Sequence, residues 1–275
     1  MCHGIEIVKF PDKVFERFLV ENFDYDNDGR ISTEDASQIV SLEIAGKLAP
    51  HITSLQGIEQ FPNLRELTVK HTNIYTLDVS RNKSLEHLDC MDNRLLWLNL
   101  GRLGRLKRLY CDGNRLERLD VSGLPSLKLL WCRRNRLTEL ELASNLQLKV
   151  LWCGNNLLTE LDVSGLPQLS FIRCENNLLT ELDLSENRAL LDIQINGNFV
   201  QLSLPPYENC EIEELICNAG HLEMIKQHYV HLWHKIELAE IETPESRQRK
   251  LFSGNYAEIK IDFIPAMLTH DIEHT

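Results

Sequence analysis

The stretch LKLLWCRRNRL, residues 127–137, is followed 21 residues later by LKVLWCGNNLL, residues 148–158. The same frame recurs on both sides, in segments that start at Leu64, Leu85, Leu106, Leu127, Leu148, Leu169 and Leu190. The fourth position is Leu67, Leu88, Leu109, Leu130, Leu151, Ile172 and Ile193. The sixth is Val69, then Cys90, Cys111, Cys132, Cys153 and Cys174, then Ile195. The ninth is Thr72, then Asn93, Asn114, Asn135, Asn156, Asn177 and Asn198. A further copy, Ile212 to Cys217, follows after 22 residues, and a divergent one, Ile39 to Ile44, precedes the series. A fixed period of this length marks a solenoid, because one unit cannot bury its apolar positions and stacked units bury a continuous row. Positions one, four, six and eleven are expected to face inward. Each Asn is expected to satisfy backbone groups where the chain leaves its strand.

The pattern L-x-x-L-x-C-x-x-N-x-L resembles that of leucine-rich repeats. Its 21-residue spacing with Cys at the sixth position is similar to the cysteine-ladder, internalin J-like internalins and related bacterial leucine-rich proteins. The resemblance runs from about Ile39 to Leu222. It implies an α/β solenoid with one short strand per repeat in a parallel sheet on a concave face, no enzymatic activity, and secretion or surface display.

Composition agrees with a folded, soluble chain: 275 residues, 43% apolar and 25% charged, with a net charge of −12. No run of 18 apolar residues exists, so a spanning helix is not expected. The first residues show no basic segment followed by an apolar one, so no signal peptide is read there. The compartment reads as cytoplasmic if Met1 is the native start, and as secreted or surface-displayed if Met1 follows processing. The acidic balance argues against bulk nucleic-acid binding. No H-E-x-x-H, G-x-S-x-G, Walker A or GxGxxG arrangement occurs, so catalysis is not expected.

Of the eight cysteines, five share one inward column. Their Cβ atoms should lie ~4.8 Å apart and parallel, whereas a disulfide needs about 3.8 Å and a turned geometry. They read as buried free thiols. No pair has the two-to-four-residue spacing of a zinc site.

Ahead of the repeats, Pro11 to Phe23 carries Val14, Phe15, Phe18, Leu19 and Phe23 at helical spacing. It runs into DYDNDGRISTED, residues 24–35, which resembles an EF-hand loop. Asp24, Asp26 and Asp28 would supply carboxylates, Gly29 the sharp turn, Arg30 its backbone carbonyl, and Ser32 a direct or water-mediated contact. Asp35 stands where Glu is usual, as in dockerin-type loops, and is one methylene shorter. A structural Ca²⁺, or Mg²⁺ instead, is the expected ligand of this loop.

The third, fifth, seventh and eighth positions are expected on the concave, solvent-facing side, because strand side chains alternate. The fifth column reads Thr68, Asp89, Tyr110, Trp131, Trp152, Arg173, Gln194; the third reads Glu66, His87, Arg108, Leu129, Val150, Phe171, Asp192. Tyr110, Trp131 and Trp152 are thus expected as an exposed aromatic row beside Leu129, Val150 and Phe171. Arg108, Arg133, Arg134 and Arg173 lie on or next to it. Between Arg94 and Arg136 there are 11 Lys/Arg and 3 Asp/Glu. Large apolar patches and Trp, Tyr and Arg are favoured at contact sites. These residues point to a non-enzymatic module that binds a protein or peptide of acidic character, as a monomer. Aromatic rows also stack sugars, which keeps a glycan open, and stacking rings beside arginines leave single-stranded nucleic acid as a third reading.

The expected organisation is a helical cap with the EF-hand-like loop over 1–40, about eight repeats over 41–222, and an α+β cap over 223–275. In that last segment His221 to Ile241 shows an imperfect helical stripe, and Ala257 to Ile264 alternates as a strand. Six histidines there (His221, His228, His231, His234, His270 and His274) read as surface residues.

Overall fold

The computed structural model describes residues 6–44, 46–198, 201–206, 212–221, 225 and 236–238. The chain divides into a first unit, Met1–Ile241, and a second, Glu242–Thr275. The alternating segment Ala257–Ile264 and the histidines from His228 onward lie outside the described residues.

Each repeat contributes one short strand, as its alternation requires. These are β1 (Ser41–Ile44), β2 (Glu66–Val69), β4 (His87–Asp89), β6 (Arg108–Tyr110), β7 (Leu129–Trp131), β8 (Val150–Trp152), β9 (Phe171–Arg173), β11 (Asp192–Gln194) and β13 (Glu214–Cys217). With β14 (Ile236–Leu238) they form one ten-stranded sheet in that order. All neighbours described are parallel, and the fourth positions pair in register: Leu88 with Leu109, Leu130 with Leu151, Ile172 with Ile193. A period of 21 therefore becomes a ladder of like residues. On the opposite side two smaller parallel pairs join β3 (Thr76–Asp78) to β5 (Trp97–Asn99) and β10 (Glu181–Asp183) to β12 (Gln201–Ser203).

β14 departs from the helical stripe expected over His221–Ile241. Its Ile-Glu-Leu sequence has period two, and pairing with β13 satisfies edge N–H and C=O groups that a helix there would leave open.

The inward columns behave as the pattern demands. Leu64, Leu85, Leu106, Leu127, Leu148 and Leu169 are fully buried, as are the five ladder cysteines. All five thiols are free, and burial pushes each one upward in pKa. The asparagines knit the turns. Asn135 donates through Nδ2 to the Cys111 and Cys132 carbonyls at 3.0 and 3.1 Å, and its Oδ1 accepts the Leu116 N–H at 3.0 Å. Asn114 and Asn156 repeat this arrangement one rung to either side.

Strands end after three or four residues because the eighth position turns left-handed. His71, Asp92, Gly113, Arg134, Asn155, Asn176 and Gly197 all have φ between 52° and 77°. Asn, Asp and Gly tolerate this region; a long side chain such as Arg134 is strained there by roughly 1 kcal/mol.

At the N-terminus, α1 (Lys13–Phe23) is capped by Asp12, which accepts from the Val14 and Phe15 N–H groups. Its second oxygen accepts from Thr53 N, Thr53 Oγ1 and Ser54 N, so one carboxylate ties the helix to the following turn. α2 (Thr33–Gln38) begins with a capping box between Ser32 and Asp35. Among the described residues no helix is long and apolar enough to cross a membrane.

Candidate functional site

The outward face of the ten-stranded sheet carries the third and fifth columns, and the register brings the predicted rings together. Tyr110 and Trp131 lie 4.5 Å apart between ring centroids, and Trp131 and Trp152 stack at 4.2 Å with 13° between planes. His87 meets Tyr110 edge-on at 5.2 Å. The Arg133 and Arg173 guanidinium carbons stand 4.5 and 4.8 Å from the Trp152 centroid.

Exposure differs from the sequence expectation. Trp131 is 7% and Trp152 3% exposed, and Leu129 and Val150 are buried beside them. Tyr110, Phe171 and Arg108 are half-buried. Rings on strands ~4.8 Å apart are in van der Waals contact, so each covers its neighbour's face, and the arginines lie over the end of the stack.

The basic residues are matched by carboxylates one or two repeats away. Arg133 holds Asp112 through Nε at 3.0 Å and its own backbone N–H at 2.7 Å. Arg173 pairs with Asp192 at 3.3 Å, Arg134 with Asp92 at 3.2 Å, Lys70 with Asp89 at 2.6 Å and Arg108 with Glu66 at 3.9 Å. Gly113 has no side chain to block the Arg134–Asp92 contact, since a Cβ there would strike Asp92. The positive excess read between Arg94 and Arg136 is thus answered on this face by carboxylates. An acidic partner has no support from it.

What the face does carry is a set of buried polar atoms without hydrogen-bond partners among the described residues. They are His87 Nδ1, Arg108 Nε, Trp131 Nε1, Trp152 Nε1, Glu175 Oε2, Asp192 Oδ1 and Asn196 Oδ1. A buried polar group left unpaired costs about 1–3 kcal/mol, so such clusters need an account. His87 is driven down to about 4, by burial first and then by Arg108 and Lys70, so it is neutral at pH 7. Glu175 is driven the other way, up to about 7, by burial, although the Arg133 and Arg173 guanidinium groups pull it down.

The seventh position is expected on this face and supplies Arg133, but reading down only the third and fifth columns misses Glu175, Gly154 and Asn196. Their signal is the seventh column: Lys70, Met91, Asp112, Arg133, Gly154, Glu175, Asn196. Another unread column is the nineteenth, where Asn82, Asn145 and Asn187 donate to pairs of carbonyls on the opposite side. Exposed Tyr75, Leu96 and Trp97 form a separate patch, with Trp97 on the wall of a cleft of about 420 Å³ that also contains Asp78 and Arg81.

In the N-terminal loop, oxygens of Asp24, Asp26 and Asp28 lie within 4.8 Å of one another. Left-handed Asn27 and Gly29 curl the chain around them. The Asp28 N–H lowers the Asp26 pKa, but burial, Asp24 and the charges of Asp28 and Asp35 raise it overall, the mark of crowded carboxylates. This triad fits a hard divalent cation. Ser32 and Asp35 are placed differently from the expectation. The Asp35 carboxylate accepts from Ser32 N and Ser32 Oγ at 2.9 and 2.6 Å and from Tyr25 N at 3.2 Å, so both residues serve the α2 cap. Arg30 donates its N–H to Asp28 at 2.8 Å.

No family model matches the chain, and no curated protein matches it. Among solved structures, the chain is similar to the functional domain of InlJ from Listeria monocytogenes, which includes a cysteine ladder. The identity is 34% and the TM-score 0.69, over 85% of this chain and 48% of that one. A leucine-rich-repeat protein of Leptospira interrogans is 23% identical with a TM-score of 0.57, over 68% of this chain and 52% of its own. YopM from Yersinia enterocolitica is 29% identical with a TM-score of 0.50, over 57% of this chain and 33% of its own. The chain spans about half the length of the first two structures. Its parallel ladder, its 21-residue register and its buried cysteine column together make the fold that of a leucine-rich-repeat solenoid.

Proposed function

We propose that the outward sheet face, centred on Trp131 and Trp152, docks a protein partner through an extended segment, and that the chain is a recognition module without catalytic activity. The observation that carries this is the row of unpartnered buried atoms from His87 to Asp192. It mixes donors (Trp131 Nε1, Trp152 Nε1, Arg108 Nε) with acceptors (Glu175 Oε2, Asp192 Oδ1). A peptide backbone offers both kinds in alternation, which a purely anionic ligand does not. Similarity to leucine-rich-repeat structures supports a protein-binding scaffold. Sugar or base stacking is disfavoured, because the Trp131 and Trp152 faces are occupied by each other and by arginines.

The test is selection from a random peptide display library on the immobilised protein. Trp131→Phe with Trp152→Phe retains stacked rings and removes both indole donors. Selected peptides should bind this variant at least about tenfold more weakly, the effect of losing ~1.4 kcal/mol. Equal affinity, or no enrichment by the wild type, overturns the reading.

We also propose that Asp24, Asp26 and Asp28 hold a Ca²⁺ ion that braces the N-terminal loop. The loop is anchored at its far end by backbone bonds from Val8 N to Ile31 O and from Thr33 N to Glu6 O, so a cation there would stiffen the whole cap. With Ser32 and Asp35 committed to the helix cap, three carboxylates and loop carbonyls make a weak site.

A further inference from the structure

Three clefts on the side away from the ten-stranded sheet have nearly the same volume, about 420, 420 and 410 Å³. Their size therefore follows from the repeat, and their linings distinguish them. The two later clefts are lined by carboxylates, Glu139, Glu141, Glu160 and Asp162 in one and Glu160, Asp162, Glu181 and Asp183 in the other, with no cation and no aromatic ring. The first differs. It carries one indole, Trp97, one guanidinium, Arg81, one side-chain amide, Gln56, and the carboxylates of Glu59 and Asp78, together with buried Leu55 and Leu77.

The fold does not demand this lining. The twelfth column reads Tyr75, Leu96, Glu117, Thr138, Thr159, Thr180, and the thirteenth reads Thr76, Trp97, Arg118, Glu139, Glu160, Glu181. Polar side chains serve at both positions except at Tyr75, Leu96 and Trp97, which are 44%, 54% and 49% exposed. Among the described residues no ring and no guanidinium covers the faces of Trp97. Trp131 and Trp152, by contrast, cover each other beneath Arg133 and Arg173.

The polar groups of the cleft are held in place by short bonds. β3 and β5 pair in register, Thr76 beside Trp97 and Asp78 beside Asn99. Asp78 accepts from the Ser80 N–H at 2.9 Å and from Asn99 Nδ2 at 3.1 Å. Burial raises its pKa, but those bonds and the Arg81 charge hold it below the ordinary range, so it is ionised at pH 7. In the facing turn the Gly57 N–H donates to Glu59 at 2.8 Å, the Gln56 N–H to Ser54 Oγ at 3.2 Å, and the Ser54 N–H to Asp12 at 3.1 Å. The Arg81 guanidinium makes no ion pair among the described residues, so its donors remain available. An uncovered indole face among donors and acceptors calls for a ligand that is apolar on its face and hydroxylated at its rim. A hexose ring has this form, with C–H groups toward the negative π face and hydroxyls that both donate and accept. Two carboxylates against one guanidinium disfavour a phosphate or a sugar acid.

We propose that the Trp97 cleft binds one hexose unit of a neutral glycan, its ring face on the indole and its hydroxyls toward Arg81, Asp78 and Gln56. Its volume of about 420 Å³ lies in the range of small-molecule sites. The proposal stands apart from the protein-docking face, since Trp97 belongs to β5 and no residue of the cleft belongs to the ten-stranded sheet.

The experiment titrates the full chain with cellobiose, maltose and lactose, and with glucuronic acid as the charged comparator. The readout is the indole N–H resonance of Trp97, assigned by its loss in Trp97→Ala. At least one neutral sugar is expected to shift that resonance saturably, with a Kd of about 1 mM, and to leave the Trp131 and Trp152 resonances in place. Saturation transfer from protein to sugar should weaken at least about tenfold in Trp97→Ala and about fivefold in Arg81→Ala. It should be the same at low and high salt, because the ligand is uncharged. Both side chains are exposed, so both variants should keep the wild-type melting temperature. A Trp97 resonance silent to all three sugars, transfer that survives both substitutions, or preference for glucuronic acid overturns the proposal. Peptides selected on the sheet face should bind Trp97→Ala as well as the wild type. If they lose affinity, the cleft belongs to the protein-docking surface and the glycan assignment falls; if peptide selection persists beside silent sugars, this inference falls alone.

Discussion

Glu175 gives the sharpest quantitative expectation. Its carboxyl titrates at about 7 in the folded chain against an ordinary 4.5, and burial is the leading cause. The folded state therefore holds its proton over a range where the unfolded chain has released it. Stability contributed by this group must fall as pH rises from about 4.5 to 7, and then level off. A difference of that size corresponds to about 3 kcal/mol between pH 4 and pH 8. Glu175→Gln removes the titration and keeps the shape and the Oε1 acceptor. Urea unfolding, followed by both circular dichroism and tryptophan fluorescence, measures the stability of variant and wild type at pH 4.5, 6, 7 and 8. Every other titrating group is common to the two proteins and cancels in their difference. That difference should favour the variant increasingly up to pH 7 and by about 3 kcal/mol above it, relative to its value at low pH. A difference that is flat with pH, or that moves the other way, refutes the assignment of a buried, uncompensated carboxylate. Coincident transitions from the two probes are needed, because repeat chains can lose cooperativity.

Three further outcomes follow from the same geometry. Asn135→Ala removes two donated bonds and one accepted bond in a buried turn, so the urea midpoint should fall by the equivalent of about 2–4 kcal/mol; a loss under about 1 kcal/mol contradicts the Asn ladder as a structural element. Asp24→Ala with Asp26→Ala should abolish a Ca²⁺-dependent rise in melting temperature, and a wild type indifferent to Ca²⁺ and chelator removes the metal proposal. The ladder thiols Cys90, Cys111, Cys132, Cys153 and Cys174, buried and raised in pKa, should resist a thiol reagent in the native protein and react in urea; fast native labelling of any of them contradicts the ladder.

The repeat was legible from sequence because its information is one-dimensional. A fixed period sets which residues become neighbours, so the inward Leu, Cys and Asn columns, the parallel register and the adjacency of Tyr110, Trp131 and Trp152 follow from counting. What counting does not contain is how far side chains reach across rungs. Arg133, Arg134 and Arg173 look like free positive charge in the chain. In the fold each is drawn to a carboxylate one or two turns away. The Trp rings look stranded in water, and stacking with their own neighbours buries them. Similarly, Ser32 and Asp35 occupy ligand positions in the loop pattern, but α2 starts at Thr33, and the two residues form its capping box. Glu175 was the least visible of all, because its character comes from an absence: no side chain at Gly154 and no cation one rung away. Periodicity in the sequence determined the scaffold. Tertiary structure decided which charges are answered, because long side chains pair across turns according to distance and burial, and neither is written in the spacing of the letters.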